Sequence, residues 1–234
     1  MTDYKITRTE RLVNEVIYWV LRMFVRIDAD AIAQVPAKGP LLLITNHINF
    51  LEGPIVYTDL QHRHERDLTG FAKIEFWNNP ITAFLFETWD TIPLRRGEAD
   101  LSAIKEAVAR IKAGAVFAMA PEGTRSSDAQ LLRAHSGIAM LAHMSGAPIL
   151  PIAGFGHENY VDDLKHFRRP SYHLSIGKMF RLDAGGVRVK GDVRQEMADE
   201  IMYQLAALLP EQYRGVYADL SNATTKYLKF DDVD

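Results

Sequence analysis

Residues 40–54 read PLLLITNHINFLEGP, a short apolar run followed at once by polar residues and a Gly-Pro pair. The run from Leu41 to Thr45 is bounded by turn-forming residues and is continuous rather than alternating, which is typical of a strand buried on both faces. Proline is tolerated in a first helical turn, so a helix is predicted from Pro54. The segment therefore predicts a strand, a turn and a helix, with His47 just past the strand.

The same alternation continues along the chain. Strands are predicted at 68–73, 90–94, 115–120, 148–155 and 172–178, and helices at 80–87, 99–112, 131–145 and 193–208. Strands that alternate with helices of this length are typical of crossover units in a mostly parallel sheet. We therefore predict one α/β domain over residues 31–214, with a mostly parallel central sheet flanked by helices.

The two ends of the chain differ from this domain. Residues 1–30 contain a predicted amphipathic helix, 11–27, whose charged side chains form one stripe at the helical period: Arg11, Glu15, Arg22 and Arg26. The rest of its circumference is broadly apolar. The helix either packs on the domain or lies in a membrane interface with its arginines near anionic headgroups, and these alternatives can coexist. Residues 215–234 form a polar tail that is expected to be loosely held.

Bulk composition excludes several function classes. A formal net charge of −3 argues against a dedicated nucleic-acid binder, which needs a basic excess. The absence of cysteine excludes disulfides, thiol catalysis and cysteine-based zinc sites. Because no apolar run reaches ~18 residues and no signal sequence is recognisable, neither a transmembrane span nor secretion is predicted. We expect a peripheral protein at the cytoplasmic face of a membrane.

Polar side chains follow several of the predicted strands. They are Asn46 and His47, Lys73, Arg95 and Arg96, and Glu122 with its neighbours Gly123, Thr124 and Arg125. In a parallel sheet the carboxyl ends of the strands share one edge, so these side chains are expected to converge there. For each segment taken alone, a surface turn or a solvated basic pair remains the alternative.

His47 and Glu52 could form an acid–base pair. On a continuous helix their offset corresponds to about 500° of rotation and would separate them, but a turn between a strand and a helix can bring them together. A carboxylate bonded to one imidazole nitrogen fixes the tautomer and leaves the other nitrogen free as a base. In the second segment, Arg125 can hold a phosphate through two parallel hydrogen bonds. A histidine that only caps a loop is the alternative for His47.

Taken in order, these segments resemble the motif blocks of the lysophospholipid (glycerolipid) acyltransferase family, the PlsC-like enzymes of 1-acylglycerol-3-phosphate acyltransferase type. The blocks are NHINFLE at 46–52, the arginine segment before Gly97, PEGTRS at 121–126 and PILP at 148–151. The resemblance covers roughly residues 36–156. It implies an α/β acyltransferase domain, acyl-CoA or acyl-carrier protein as the donor, and lysophosphatidic acid as the common acceptor.

The resemblance also implies a role for each motif residue. His47 would be the catalytic base, and Asn46 would shape its surroundings. Arg96, and less directly Arg95, would match the family's phosphate-binding arginine, and Pro151 would match the proline of the fourth block. The residues that match the acceptor-binding loop are Glu122, Gly123, Thr124 and Arg125.

One position departs from the family pattern, because Glu52 stands where the family usually has aspartate. The extra methylene adds about 1.5 Å of reach. Glutamate can still orient an imidazole, as it does in Ser-His-Glu arrangements. Glu52 is therefore expected to orient His47, although the substitution leaves open a weakly active or inactive member.

The expected reaction is direct acyl transfer without a covalent enzyme intermediate, and it requires no metal and no bound cofactor. Expected partners are the acyl donor, a lysophospholipid and the membrane surface, with no nucleic acid. Three alternatives remain open: a non-catalytic lipid-binding protein on the same fold, a hydrolase in which His47 activates water, and an acyltransferase with another acceptor such as glycerol phosphate or an amino-lipid.

Overall fold

The structure is a computed structural model that describes residues 6–95 and 100–230. Its helices are α1 Arg8–Phe24, α2 Glu52–His64, α3 Pro80–Thr88, α4 Leu101–Ala113, α5 Gly137–Ser145, α6 Tyr160–Lys165 and α7 Gly191–Ala206. Its strands are β1 Arg26–Asp28, β2 Leu41–Thr45, β3 Leu68–Lys73, β4 Ile92–Leu94, β5 Val116–Met119, β6 Ile149–Phe155, β7 Ser171–Ile176, β8 Phe180–Leu182 and β9 Leu228–Phe230.

All of these strands join one mixed sheet in the order β1-β7-β6-β2-β5-β3-β4, with β8 on β6 and β9 on β8. The five neighbours β6, β2, β5, β3 and β4 are all parallel, whereas β7 and β8 run antiparallel to β6. The predicted α/β fold with a mostly parallel sheet is therefore confirmed. The carboxyl ends of these five strands lie at one edge of the sheet.

Helices cover both faces of the sheet, and successive side chains of β2 point to opposite faces. Leu42 and Ile44 belong to a core cluster that includes residues of α4, α5 and α7, whereas Leu41 and Leu43 belong to a second cluster with α2 residues. All four side chains are almost fully buried. This two-sided burial explains why the β2 sequence is continuously apolar.

Two predicted helices differ at their ends. The first ends at Phe24, and Arg26 and Ile27 pair with β7 as the edge strand β1. The helix predicted from Leu131 begins only at Gly137. The segment before it is held by its backbone, since the Leu131 N–H donates to the Tyr213 carbonyl. Its apolar residues are buried by this loop packing rather than by a helical face.

The expectation of a loosely held tail is wrong for residues 215–230. Tyr217 and Tyr227 are buried, and β9 pairs with β8. The backbone N–H groups of Lys226 and Tyr227 donate to the buried Glu200 carboxylate on α7, at 2.9 Å each. A few aromatic anchors and one buried acceptor are enough to fix a segment of polar average composition.

The helix α1 presents its polar stripe to the protein. Arg22 pairs with the buried Asp59 of α2 at 2.6 Å, Glu15 with His62 at 2.7 Å, and Arg11 with Glu65 at 2.9 Å. Of the two alternatives for this helix, the structure shows packing on the domain, through three of the four charges of the stripe. A position of α1 in a membrane interface stays a prediction. None of the helices within residues 6–95 and 100–230 is long and apolar enough to span a membrane.

Candidate active site

A cavity of about 270 Å³ lies at the edge where the parallel strands end. His47 and Glu52 border it after β2, and Gly123 borders it after β5. Its remaining wall is largely apolar and includes Phe71, Ala72, Leu94, Ala118 and Met119. The ends of β2, β3, β4 and β5 thus form a cleft that is lined by a few polar groups and a largely apolar wall.

His47 and Glu52 lie together in this cleft. The His47 Nδ1 atom is 3.5 Å from the Glu52 Oε2 atom. The carboxylate is almost fully buried, whereas the imidazole is 30% exposed. Glu52 begins α2, so the turn between β2 and α2 supplies the approach that a continuous helix could not. Because Nδ1 faces the carboxylate, Nε2 is the ring nitrogen left for a substrate proton.

The Glu52 carboxylate is held by more than His47. Its Oε1 atom accepts hydrogen bonds from the Ile48 N–H at 2.7 Å, the Asn49 N–H at 3.0 Å and the His157 Nε2 at 2.9 Å. Burial raises the pKa of Glu52, but the hydrogen bonds and charges of His157 and His47 outweigh it and lower the pKa to about 2. Glu52 is therefore ionised at neutral pH.

His157 is the site residue that sequence reasoning missed. It is fully buried and follows β6, whose carboxyl end lies at the same sheet edge as the end of β2. The rule that singled out His47, a polar residue just after an apolar strand, would also have singled out His157. The segment GHENY at 156–160 belongs to none of the four motif blocks, so its place after a strand was the one signal for His157.

Asn46 joins the ends of two strands. Its Nδ2 donates to the Gly154 carbonyl at 2.7 Å, and its Oδ1 accepts from the Gly154 N–H at 2.8 Å. Side chain and backbone thus pair in both directions, and Asn46 is buried. These two hydrogen bonds fix the end of β2 directly before His47.

Glu122 does not border the cavity. Its Oε1 accepts from the His47 N–H at 2.9 Å, and its Oε2 accepts from the Leu132 N–H at 2.8 Å. It is 2% exposed, so the expectation that its side chain contacts the acceptor is corrected. Burial and, to a smaller extent, the nearby Glu52 charge outweigh the two backbone hydrogen bonds and raise the pKa of Glu122 to about 7.

Residues 123–125 of the PEGTRS loop are exposed, whereas Pro121 and Ser126 are buried. Gly123 has a φ of +67°, and a Cβ atom there would lie 2.7 Å from the His135 ring, so this position requires glycine. Thr124 and Arg125 are exposed, and the Arg125 guanidinium lies 4.2 Å from the ring centre of Phe50. Phe50 belongs to the turn between His47 and Glu52. Arg125 therefore lies over this turn.

Lys73 is the predicted cation that the structure places at the cavity among the described residues. Lys73 ends β3, borders the cavity and pairs with Glu75 at 3.1 Å. Arg95 is exposed directly after β4, and Arg96 lies outside the described residues. Pro151 is buried within β6, in register with Ile44 of β2, and does not border the cavity. Its position is that of a packing residue of the sheet.

Two known proteins are similar in sequence to most of this chain. A chloroplastic 1-acyl-sn-glycerol-3-phosphate acyltransferase of Brassica napus is 24% identical over 202 residues, which cover 85% of this chain and 52% of that protein. A lyso-ornithine lipid O-acyltransferase of Pseudomonas aeruginosa is 24% identical over 177 residues, which cover 74% of this chain and 66% of that protein. The chain thus spans about half the length of the Brassica relative.

Two further comparisons concern the fold and the family. The crystal structure of the 1-acyl-sn-glycerophosphate acyltransferase PlsC from Thermotoga maritima superposes with a TM-score of 0.61 at 20% identity, over 86% of this chain and 80% of that one. The family described as Acyltransferase matches residues 26–154, more than half of the chain and all of the strand ends that form the cleft. This protein therefore belongs to the acyltransferase family.

Proposed function

We propose that the protein transfers a fatty acyl group from acyl-CoA or acyl-carrier protein to the hydroxyl of a lysophospholipid, with lysophosphatidic acid as the acceptor. The observation that carries this proposal is the pairing of His47 with an ionised, buried Glu52 at the mouth of an apolar-walled cavity. The Brassica and Pseudomonas relatives are named for acylation of different lysolipids, so the lysolipid class is better supported than the headgroup.

The chemistry follows from the orientation of the imidazole. His47 Nε2 removes the proton of the acceptor hydroxyl while that oxygen attacks the thioester carbonyl. The carbon–sulfur bond then breaks, and the imidazolium returns the proton to the thiolate leaving group. The Glu52 charge stabilises the imidazolium, and proton transfer of this kind contributes about 10²–10⁴-fold. Holding both substrates in line supplies much of the remaining acceleration.

The walls of the cavity match the two parts of such a substrate pair. Phe71, Leu94 and Met119 offer an apolar surface to the acyl chain beside the thioester. Lys73 borders the same cavity and offers a cation to the acceptor phosphate. Arg95 and Arg125 lie exposed at the ends of β4 and of the PEGTRS loop. Arg96 remains part of the proposal on the family resemblance alone.

We propose that the protein lies at a membrane surface, because α1 exposes its apolar face. The cytoplasmic side of that membrane stays an expectation from the sequence alone. The exposed side chains are Leu12, Val16, Trp19, Val20, Met23 and Phe24. They recur at helical spacing and form one continuous face, opposite the polar residues that contact α2. An exposed apolar helix face of this kind suits the boundary between headgroups and acyl chains. A lipid substrate could then enter the cleft without crossing water.

The proposal is tested by assaying purified protein with acyl-CoA and acyl-carrier-protein donors of several chain lengths and with several lysolipids. We expect His47→Asn to lower the acyl-transfer rate about 10²–10⁴-fold, since the amide keeps a polar contact to Glu52 but cannot act as a base. The matched control is His166→Asn, at an exposed histidine after α6, which should leave the rate unchanged. An unaltered rate in His47→Asn would refute the mechanism.

The same assay separates the alternatives. A hydrolase would release free fatty acid without any acceptor present. A lipid-binding protein without catalysis would bind lysolipid or phospholipid vesicles but transfer no acyl group from any donor. Preference for an amino-lipid over lysophosphatidic acid would keep the chemistry and correct the acceptor.

A further inference from the structure

Glu52 contacts two histidines that lie on different elements. Its Oε2 atom faces His47, and its Oε1 atom accepts from His157, whose ring is fully buried. An ionised carboxylate can only accept hydrogen bonds, so His157 Nε2 carries a hydrogen and donates it. The two imidazoles are thus joined through one carboxylate, with only the first ring bordering the cavity.

Packing alone does not account for a histidine at position 157. Its Nδ1 atom is buried without a hydrogen-bond partner among the described residues. An unpaired buried nitrogen costs stability, and an apolar side chain of similar size would avoid that cost. What the ring provides in return is the Nε2 contact to Glu52.

The backbone of His157 supports the same turn. Its carbonyl accepts from the Asn49 Nδ2 at 2.9 Å, and Asn49 Oδ1 in turn accepts from the Leu51 N–H at 2.9 Å. Side chain and backbone of His157 therefore both hold the 48–52 turn that carries Glu52.

The length of Glu52 is what allows the bridge. An aspartate on the same backbone would withdraw the carboxylate by about 1.5 Å, too far to keep hydrogen-bonding contact with both rings unless the turn moved. The contact between His157 and Glu52 thus explains two features together. It explains why glutamate replaces the family's usual aspartate at position 52, and why a histidine occupies position 157.

We propose that His157 is a positioning residue that fixes the Glu52 carboxylate against His47, and that glutamate at 52 and histidine at 157 act as a pair. This inference rests on the proposed role of His47 as the base. His157 does not border the cavity, so its effect is expected on turnover rather than on substrate binding.

The first test compares His157→Leu, which fills the space without a donor, with His157→Gln, whose amide can replace the Nε2 donor. We expect kcat of the leucine variant to fall about 10–100-fold, the rate equivalent of one hydrogen bond to a charged group, with KM for donor and acceptor unchanged. The glutamine variant should recover most of the loss. Equal impairment of both variants, or an unchanged kcat in His157→Leu, would overturn the inference.

A pH profile gives a readout that a purely structural role would not move. The titratable groups that face Glu52 are His47 after β2, His157 after β6, Glu122 after β5 and Tyr172 on β7. Losing the His157 donor should move the acid limb of kcat to higher pH, and glutamine should restore it. Identical acid limbs in the parent protein and His157→Leu would contradict the pairing.

The second test asks whether the effect depends on glutamate at 52. In a Glu52→Asp background the shorter side chain cannot bridge, so adding His157→Leu should lower kcat much less than in the parent. The same fold-loss in both backgrounds would overturn the pairing of the two positions. Thermal unfolding of all four proteins shows whether loss of fold explains a loss of rate.

Failure of the proposed function can be distinguished from failure of this inference. If the parent transfers no acyl group, NMR of protein with ¹⁵N-labelled histidine still tests the bridge. We expect a protonated His157 Nε2 and a change in the His47 ring signals on His157→Leu, with recovery in His157→Gln. Unchanged His47 signals would overturn the inference whatever the activity.

Discussion

Glu122 is a single residue whose surroundings act on its charge in opposite directions. Burial and the Glu52 charge favour its neutral form, and the N–H groups of His47 and Leu132 favour the carboxylate. The balance raises the pKa from 4.5 to about 7. Since Glu122 holds the His47 backbone, its protonation is linked to the stability of the loop that carries the base.

The expected consequence is a pH-dependent stability difference between the parent protein and Glu122→Gln. The folded chain keeps the Glu122 proton until about pH 7, whereas the unfolded chain releases it near pH 4.5. Stability contributed by this group is thus fully present below pH 4.5 and is lost as pH rises to about 7. The loss is on the order of 3 kcal/mol.

Urea unfolding of both proteins from about pH 4 to about pH 8 measures this difference. The advantage of the parent over Glu122→Gln should shrink steadily as pH rises, because glutamine does not titrate. A constant difference across the range would show that Glu122 titrates alike in the folded and unfolded chains.

At the scale of the element, α1 has the reverse of the usual amphipathic arrangement. Glu10, Asn14 and Tyr18 are buried, and Trp89 Nε1 donates to the Asn14 side chain at 2.8 Å. The apolar face points outward instead. The polar face of the helix thus contacts the protein through hydrogen bonds and ion pairs. Its apolar face remains exposed, where it could contact the acyl chains of a membrane.

We expect a double substitution, Trp19→Ser with Met23→Ser, to weaken binding to phospholipid vesicles at least about tenfold, because two large apolar side chains no longer enter the lipid. Both side chains are more than half exposed, so the fold should be retained. Vesicle co-sedimentation measures the binding, and activity on a short-chain water-soluble donor should be unchanged.

The matched control is Val216→Ser, at a residue 63% exposed in the C-terminal segment. It should bind vesicles like the parent protein. Unweakened binding of the α1 variant would exclude this face as the docking surface.

At the scale of the whole molecule, the C-terminal segment adds strand β9 to the sheet and buried side chains to one core cluster. Tyr217, Tyr227 and Leu228 belong to the cluster that also contains residues of α4, α5 and α7. Glu200 on α7 anchors the segment and accepts from the Thr224 hydroxyl as well as from two backbone N–H groups. The segment that leads into β9 is therefore held by one buried carboxylate.

We expect Glu200→Ala to destabilise the protein by about 2–5 kcal/mol, since it leaves buried backbone donors without an acceptor. Urea unfolding measures the free energy, and hydrogen exchange at 224–230 should speed up most. Glu211→Ala, at an exposed residue beyond α7, is the control and should change little. Equal effects of the two substitutions would argue against Glu200 as the anchor.

The sequence by itself determined the type of most elements and the edge at which they deliver polar groups. The apolar run 41–45 and its counterparts predicted the parallel strands, because a strand buried on both faces has nowhere to place polar side chains. The turn after 45 can bring His47 to Glu52 over a short chain distance, so the spacing allowed this pair and the family resemblance predicted it. The order of the motifs predicted the family.

Only the tertiary structure decided which side chains meet across the molecule. His157 contacts Glu52 from 105 residues away, and Asn46 contacts Gly154 from 108 residues away. The burial of the Glu122 side chain and the packing of the α1 charges against the protein likewise depend on partners that are remote in sequence. Hydrophobic periodicity fixes which face of an element is buried only when apolar side chains do the packing. Where hydrogen bonds and ion pairs hold two elements together, the buried face of one element depends on the polar groups of the other. The sequence of one element alone therefore does not predict that face.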